Sequence, residues 1–270
     1  MVGAAGALLK HALLLGQGQF ARRSDPKFID DNILSDLSAA KELMRALTPL
    51  RIRWVSQASI NVAFDDEALA LARESGCQGL LVGFESLDAD TLAQMNKRFN
   101  LMRGGPAVAM ERFRRQGLRI YGTFVFGYDH DTPESFERSL AFSREQGLFI
   151  AAFNHMTPFP GTPLYRRLEA EGRLTYDAWW LDPRYRYNQV PFTPRQMSAV
   201  ELERRCLEAR QRFYGWGSIF ERAAQRVNRQ DLFMLVNFLG INWMHQVDVD
   251  GRSGLPLGDA GWRGELLEAA

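Results

Sequence analysis

The stretch GLLVGFES, residues 79–86, is the clearest indicator of the fold in this sequence. It runs through apolar residues with little alternation and ends on a carboxylate and a hydroxyl, those of Glu85 and Ser86. A short run of this kind is typical of a strand buried on both faces, as in a parallel sheet. Similar runs occur at KFIDDNI (27–33), RIRWVSQASI (51–60), LRIYGTFVFGY (118–128) and FIAAFNHMTPF (149–159).

Segments with helical signals separate these runs. Each begins with a capping residue or a proline, and three of them stop at a glycine. They are the segment after Ser35 with its apolar stripe Leu37, Ala40, Met44 and Leu47, and the segments Asp65 to Gly76, Pro106 to Gly117, and Thr132-Pro133 to Gly147. Five strands alternating with four helices predict βαβ units, and therefore an α/β fold with a parallel sheet or barrel.

The carboxyl ends of the predicted strands carry most of the polar residues that need an explanation. In parallel α/β folds the ligand binds at these ends. The candidate positions are Asp31 and Asn32 after the first run, Gln57 and Ser59, then Glu85 and Ser86, then Gly127, and finally His155. A carboxylate that follows three apolar residues, as Glu85 does, needs a partner to offset its desolvation.

After Gly161 the pattern changes to a helical one. A helix is expected over 161–174, an aromatic and basic segment without a period over 177–194, and a long helix over about 195–214. The apolar side of the long helix is predicted to hold Met197, Val200, Leu202, Cys206 and Phe213. The stretch DLFMLVNFLGINWMH (231–245) predicts a buried helix, with a membrane-surface role as the alternative. A loose tail is expected from Val249 onward.

Composition narrows the classes of function. The chain has 270 residues and a formal net charge of +1, so no global field attracts nucleic acid or acidic lipid. Its two cysteines, Cys77 and Cys206, are far apart, which favours a reducing compartment such as the cytoplasm. The apolar run over residues 1–20 is too short and too interrupted for a membrane span and lacks the basic start of a signal peptide, so an irregular or helical leader is expected over 1–26.

Four motifs in register resemble the radical S-adenosylmethionine (SAM) enzymes, and most closely the cobalamin-binding group of that superfamily. They are FIDDNI at a strand end, LLVGFESLDADTLAQMNK, GLRIYGTFVFGYDHDTPESFE and HMTPFPGTPLY. The resemblance covers residues 27–165 and implies a (β/α) barrel of the TIM type. Residues 166–248 resemble the helical domain of unknown function that follows the barrel in some members.

The resemblance also implies a cofactor set. Members hold a [4Fe-4S] cluster with three cysteines in a C-x-x-x-C-x-x-C loop after the first barrel strand, and they cleave SAM to generate a 5′-deoxyadenosyl radical. Thiolates are required as soft, anionic iron ligands. This sequence lacks the motif, and its run at 27–33 matches the second barrel strand of the family. The expectation is therefore a partial barrel without its first strand, in a truncated chain that ligates neither the cluster nor cobalamin and cannot perform the radical step alone.

For individual residues, the resemblance implies that Asp31, Asn32, Glu85 and Ser86 contact SAM. Gln57 is expected to line the same pocket, Gly122 and Gly127 to let the backbone approach adenine, and His155 to face adenine or substrate. The substrate is expected to be a small molecule or a lipid, with no nucleic acid and no membrane span.

Simpler interpretations stay open for each of these positions. Asn32 can form an Asx turn, Glu85 a salt bridge at the barrel mouth, and the glycines a bulge or tight bend. A histidine such as His155 is more often structural. At the level of function, the alternatives are a cluster-free binding module and, last, a divalent-metal site built from Asp30, Asp31 and Glu85.

Overall fold

The computed structural model describes residues 32–251 and 254–255. The leader 1–26, most of the first predicted strand with Asp30 and Asp31, and nearly all of the expected tail lie outside the described residues.

The described core is a parallel four-stranded sheet in which the strands pair in chain order. This confirms the predicted α/β class and four of the five strand runs. The strands are β1 (Trp54–Ala58), β2 (Cys77–Glu85), β3 (Arg119–Phe126) and β4 (Ile150–His155). Parallel strands leave all four carboxyl ends at one edge, as the candidate site requires.

Helices connect the strands and continue after the last one. The α-helices are α1 (Leu37–Leu47), α2 (Asp66–Glu74), α3 (Ala89–Gln94), α4 (Gly105–Arg115), α5 (Pro133–Glu145), α6 (Pro163–Ala170), α7 (Ala199–Tyr214), α8 (Trp216–Ala223) and α9 (Leu232–Gly251). The predicted caps hold for α2, where Asp65 accepts from the Ala68 N–H at 2.8 Å, and for α5, where Thr132 forms a capping box. The prediction for α1 was wrong by one residue. Asp36, not Ser35, is its N-cap, because the Asp36 carboxylate accepts from the Ser38 and Ala39 N–H groups.

The strands were expected to be buried on both faces, and the described structure differs. In β1, Trp54 and Ala58 are buried while Val55 between them is 38% exposed. The reason is that most of the described helices pack against one face of the sheet. Aromatic rings fill that layer, with the Phe124 ring stacked on those of Phe84 and Phe153 at 5.6 Å between centroids. The other face is less covered. It borders an apolar cavity that α9 flanks through Phe233 and Ile241, and at the carboxyl ends of the strands it leads to the polar cleft.

Helix α7 begins at Ala199, after an N-cap at Ser198, and not near residue 195 as expected. Leu202 and Cys206 are buried on its inner side as predicted, but Val200 is 72% exposed. The placement of Val200 was wrong because two residues along a helix correspond to a rotation of about 200°. A residue two positions before Leu202 therefore points away from the sheet.

Helix α9 was predicted as buried, and this was wrong. It buries one line of residues, Met234, Phe238 and Asn242, against α7 and α8. The opposite side is apolar and exposed at Leu232, Phe233, Val236, Trp243, Met244 and Val247. The cause is that no second layer covers that side among the described residues. The helix also continues to Gly251, past the expected start of the tail. No described helix is both long and apolar enough to cross a membrane.

One buried arginine joins the C-terminal helices to the sheet. Arg222 on α8 donates hydrogen bonds at 2.9 Å to the carbonyl oxygens of Leu148 and Phe213 and to the side-chain oxygen of Asn242. Burial lowers the pKa of Arg222 to about 9, so the group is still charged at pH 7. The guanidinium lies 3.7 Å from the centroid of the Phe213 ring, which adds a cation–π contact.

Candidate functional site

A polar cleft of about 280 Å³ opens at the carboxyl ends of β1, β2 and β3. It lies where the sequence predicts a ligand site. Its polar lining consists of Asn32, Gln57, Ser59, Glu85, Lys97, Asn100 and Thr123. Four of the predicted positions, Asn32, Gln57, Ser59 and Glu85, are therefore brought together.

Glu85 ends β2 in an unusual backbone conformation. Its φ of 64° lies in the left-handed region, which costs a non-glycine residue roughly 1–2 kcal/mol. The register between β2 and β3 shifts between Gly83 and Glu85, so a bulge turns the carboxylate into the cleft. A side chain at Gly83 would overlap the Glu85 oxygen Oε1, so the glycine leaves the space that the carboxylate occupies.

The Glu85 carboxylate is 16% exposed and accepts a hydrogen bond from Lys97 Nζ at 2.5 Å. Lys97 itself is 40% exposed, so the pair lies at the cleft mouth and not in the core. The structure therefore contains the ion pair that the simpler interpretation of Glu85 predicts. It is compatible with ligand contact, because a carboxylate has lone pairs for further donors.

Asn100 stabilises the bulge from the 3₁₀ helix Arg98–Gly104, which follows α3. Its side chain is buried and donates to the carbonyl oxygens of Phe84 at 2.9 Å and Gly83 at 3.3 Å. Sequence reasoning missed Asn100, Lys97 and Thr123. Lys97 falls in a motif that carries the family resemblance, but neither spacing nor periodicity indicates that the 97–100 loop folds back over the end of β2.

Asn32 adopts the predicted Asx turn, since its Oδ1 atom accepts from the Leu34 N–H at 3.2 Å. The residue also lines the cleft, so the turn and a ligand contact are compatible. Gln57 is exposed on the open face of β1, in register with Leu81 of β2. Asp31 lies outside the described residues.

Ser86 and His155 are near the same edge of the sheet but do not line the cleft. Ser86 is buried, and its hydroxyl accepts from the Asp88 N–H at 3.1 Å. The His155 Nδ1 atom lies 3.1 Å from the Met156 carbonyl oxygen. Burial lowers the pKa of His155, which favours the neutral ring at pH 7.

Gly122 in β3 and Gly127 just after it are explained by packing. An added Cβ at Gly122 would lie 2.6 Å from Leu148 Cδ1, on the helix-covered face of the sheet. Gly127 has φ of 107°, and an added Cβ there would lie 2.8 Å from Leu202 Cδ2. Neither glycine lines the cleft.

A buried carboxyl fixes the loop after β3. Asp131 accepts hydrogen bonds from the Gly127 and Tyr128 N–H groups, each at 3.0 Å, and from the Thr91 hydroxyl at 3.3 Å. Burial raises the pKa of Asp131 to about 6 despite these donors. The sequence predicted only that this loop follows the end of a strand, and it did not indicate the buried role of Asp131.

The cysteines of the chain do not fit a [4Fe-4S] cluster. Cys77 starts β2 and Cys206 lies in α7, and burial raises the pKa of each thiol to about 12, which disfavours the thiolate. Among the described residues, no three His, Cys, Asp or Glu side chains are grouped in a way that could hold a metal ion. A three-thiolate site cannot be assembled from two cysteines.

Comparison with known proteins finds relatives that are named as methyltransferases. Bacteriochlorophyllide d C-12(1)-methyltransferase of Chlorobaculum tepidum is 31% identical over 195 residues, which are 72% of this chain and 41% of that protein. Hopanoid C-2 methylase of Rhodopseudomonas palustris is 30% identical over 162 residues, 57% of this chain and 30% of that protein. The chain thus spans less than half the length of these relatives. No family model matches it.

The chain belongs to the cobalamin-binding type of the radical SAM superfamily. A solved radical SAM structure, the methyltransferase TsrM of Kitasatospora setae with cobalamin and a [4Fe-4S] cluster, covers 89% of this chain and 53% of its own at 16% identity, with a TM-score of 0.49. In this radical SAM chain, the motif GFES provides the bulge and the carboxylate of the cleft.

Proposed function

We propose that the cleft binds SAM and that the chain provides the SAM-binding part of a methyltransferase. The observation that carries the proposal is Glu85, a strained residue whose carboxylate is turned into a polar cleft at the strand ends. Strain of this kind is maintained where the surrounding structure serves a site. The relatives named as methyltransferases supply the chemical class.

The donor set of the cleft fits the polar part of SAM. Glu85 accepts from the SAM ammonium group or the ribose hydroxyls, and Asn32, with Asp31 beside it in sequence, accepts from the same end of the molecule. Gln57 supplies both a donor and an acceptor from the open face of β1. SAM, when bound, supplies the group that is transferred.

The radical step requires thiolates that these 270 residues do not supply. We propose that the chain by itself binds SAM without ligating a [4Fe-4S] cluster or cobalamin, so it acts alone as a binding module. The buried, protonated thiols of Cys77 and Cys206 favour this over a cluster-bearing enzyme. Reconstitution with iron and sulfide is expected to give no thiolate–iron absorbance at about 400 nm. A stoichiometric cluster would contradict this part of the proposal.

We further propose that residues 27–165 form part of a TIM-like (β/α) barrel and that the helical domain expected over 166–248 follows it and extends to Gly251, the end of α9. The supporting feature is the all-parallel order of β1 to β4, in which each strand pairs with the next along the chain. The open face of the sheet would then be the interior side of the barrel.

The proposed substrate is a small molecule or a lipid, by analogy with relatives named for a bacteriochlorophyllide and a hopanoid. The net charge of +1 gives no support for a nucleic-acid substrate. The two free, buried cysteines are compatible with a cytoplasmic location, which we also propose.

Isothermal titration calorimetry with SAM and with S-adenosylhomocysteine tests the proposal. Loss of a hydrogen bond to a charged group is worth about 1.5–3 kcal/mol, so Glu85→Gln is expected to weaken SAM binding by at least about tenfold. The matched control is Glu137→Gln, which removes an exposed carboxylate paired with Arg212 on α7. Absence of SAM binding to the wild-type chain, or equal affinities of wild type and Glu85→Gln, would refute the assignment.

A further inference from the structure

A second cavity, of about 580 Å³, lies at the opposite end of the sheet from the SAM cleft. It is formed by the starts of β2 and β3, the ends of α2 and α4, and the segment before α9. Among the described residues, five arginines and no carboxylate line it. They are Arg73, Arg114, Arg115, Arg119 and Arg226.

The positive charge of this cavity is largely uncompensated. Among the described residues, only Arg115 of the five contacts a carboxylate, that of Glu111 one helical turn earlier. Arg114 donates to a neutral acceptor, the Gln146 carbonyl oxygen at 3.1 Å. Arg73 and Arg226 are exposed and have no ion pair within the described part.

Arg119 is the arginine of this cavity whose charge is buried. It is only 6% exposed, and its guanidinium donates to neutral acceptors, the carbonyl oxygen of Gln78 and the side-chain oxygen of Gln230, each at 2.8 Å. Its Nε–H is buried and has no partner within the described part. Asp231 acts on it electrostatically but forms no ion pair with it. A buried charge without a counter-charge is unfavourable unless a ligand supplies one.

Helix dipoles explain only part of this cluster. Arg73 and the pair Arg114 and Arg115 lie in the last turns of α2 and α4, where cations offset the partial negative charge of a helix end. That effect does not require the side chains to converge. Arg119 starts a strand, and Arg226 begins the 3₁₀ helix Arg226–Arg229 three residues after the end of α8, yet both line the same cavity.

We propose that this cavity binds an anionic phosphate group. Several guanidinium groups around one space match phosphate oxygens, which accept charge-assisted hydrogen bonds. The site is separate from the SAM cleft and does not depend on it.

The phosphate has two possible sources, a free phosphate compound and the headgroup of an anionic lipid. The lipid source is suggested by the neighbouring surface. Arg119 and Gln78 also line an apolar cavity of about 550 Å³ that reaches Phe233, and Leu232 beside it is 77% exposed at the start of α9. An anionic headgroup in the arginine cavity would therefore have apolar surface next to it.

Inorganic pyrophosphate, titrated into the full chain by calorimetry at low ionic strength, is the probe for the site. Saturable binding is expected, and the double variant Arg73→Glu/Arg226→Glu should raise the dissociation constant by at least tenfold. Both residues are exposed, so folding should be preserved, and a thermal unfolding curve checks this. The control is Arg166→Glu on α6, an exposed arginine outside the cavity.

Vesicle sedimentation distinguishes the two sources. Phosphatidylcholine vesicles are compared with vesicles that also contain phosphatidylglycerol. Binding to the anionic vesicles that the double variant loses and Arg166→Glu keeps would identify a lipid phosphate. Pyrophosphate binding without such vesicle binding would identify a free phosphate compound. The proposal is overturned if neither probe binds the wild type, or if the double variant binds as tightly as the Arg166→Glu control.

Discussion

The strained backbone at Glu85 leads to a comparison of two variants, Glu85→Gly and Glu85→Ala. Both remove the carboxylate and its ion pair with Lys97, which at this partly exposed position is worth about 0–1 kcal/mol. Alanine retains the cost of φ at 64°, roughly 1–2 kcal/mol, and glycine does not. Glycine loses about 0.5–1 kcal/mol through the greater entropy of its unfolded chain. Glu85→Gly should therefore be more stable than Glu85→Ala by about 0.5–1 kcal/mol.

The effect of these variants on SAM affinity should differ from their effect on the free energy of unfolding. Glu85→Gly should stay close to wild type in its free energy of unfolding, since the relief of strain offsets the lost ion pair. Both variants should nevertheless bind SAM at least about tenfold more weakly, because neither has the carboxylate. Stability is kept while binding is lost, and this combination separates a site residue from a structural one.

Urea denaturation followed by far-ultraviolet circular dichroism gives the two free energies of unfolding, and calorimetry gives the SAM affinities. The denaturation slopes must agree between variants for the free energies to be compared. An alanine variant as stable as the glycine variant would show that the backbone at residue 85 is not strained. Wild-type SAM affinity in either variant would refute the role of the carboxylate.

Three further perturbations follow from the buried contacts. Arg222→Met should lower the free energy of unfolding by about 3–5 kcal/mol, because it leaves three buried acceptors without a donor, and urea denaturation measures this. Asp131 has a folded-state pKa raised to about 6, so its contribution to stability is present below pH 4 and is lost as the pH rises through 6. The stability of wild type relative to Asp131→Asn should accordingly fall by up to about 3 kcal/mol between pH 4 and 7, and a flat difference would contradict the raised pKa. Gly127→Ala should cost more than about 2 kcal/mol through strain and contact with Leu202, whereas Gly161→Ala, with open space around it, should cost only about 1 kcal/mol in the same thermal or urea assay.

The sequence predicted the positions of four strands and most helix boundaries because these depend on local signals. Apolar runs of four to nine residues locate β1 to β4, and Asp65 and Thr132 locate the starts of α2 and α5. The strand-end rule then places Asn32, Gln57 and Glu85 at one edge before any coordinates are known. The family resemblance added the chemical class, which the relatives support.

Other features of the site depend on contacts between segments distant in the chain. The left-handed conformation of Glu85 and its contact with Lys97 follow from a loop that folds back after β2, held by a buried Asn100. The hydrophobic periodicity of the sequence does not predict that this segment folds back over the end of β2. The misjudged burial of α9 has the same origin, since an apolar helix is buried only where other elements reach it.

By itself, the sequence determined that this is a parallel α/β protein of the radical SAM superfamily with a polar edge at the strand ends and only two cysteines. Tertiary structure decided which polar residues meet. It separated Gln57 and Glu85, which face the cleft, from Gly122 and Ser86, which do not line it. It also gathered five arginines from separate elements around one cavity at the other end of the sheet. The physical reason is that strand pairing and capping are set by neighbours in sequence, whereas burial, ion pairing and uncompensated charge are set by neighbours in space.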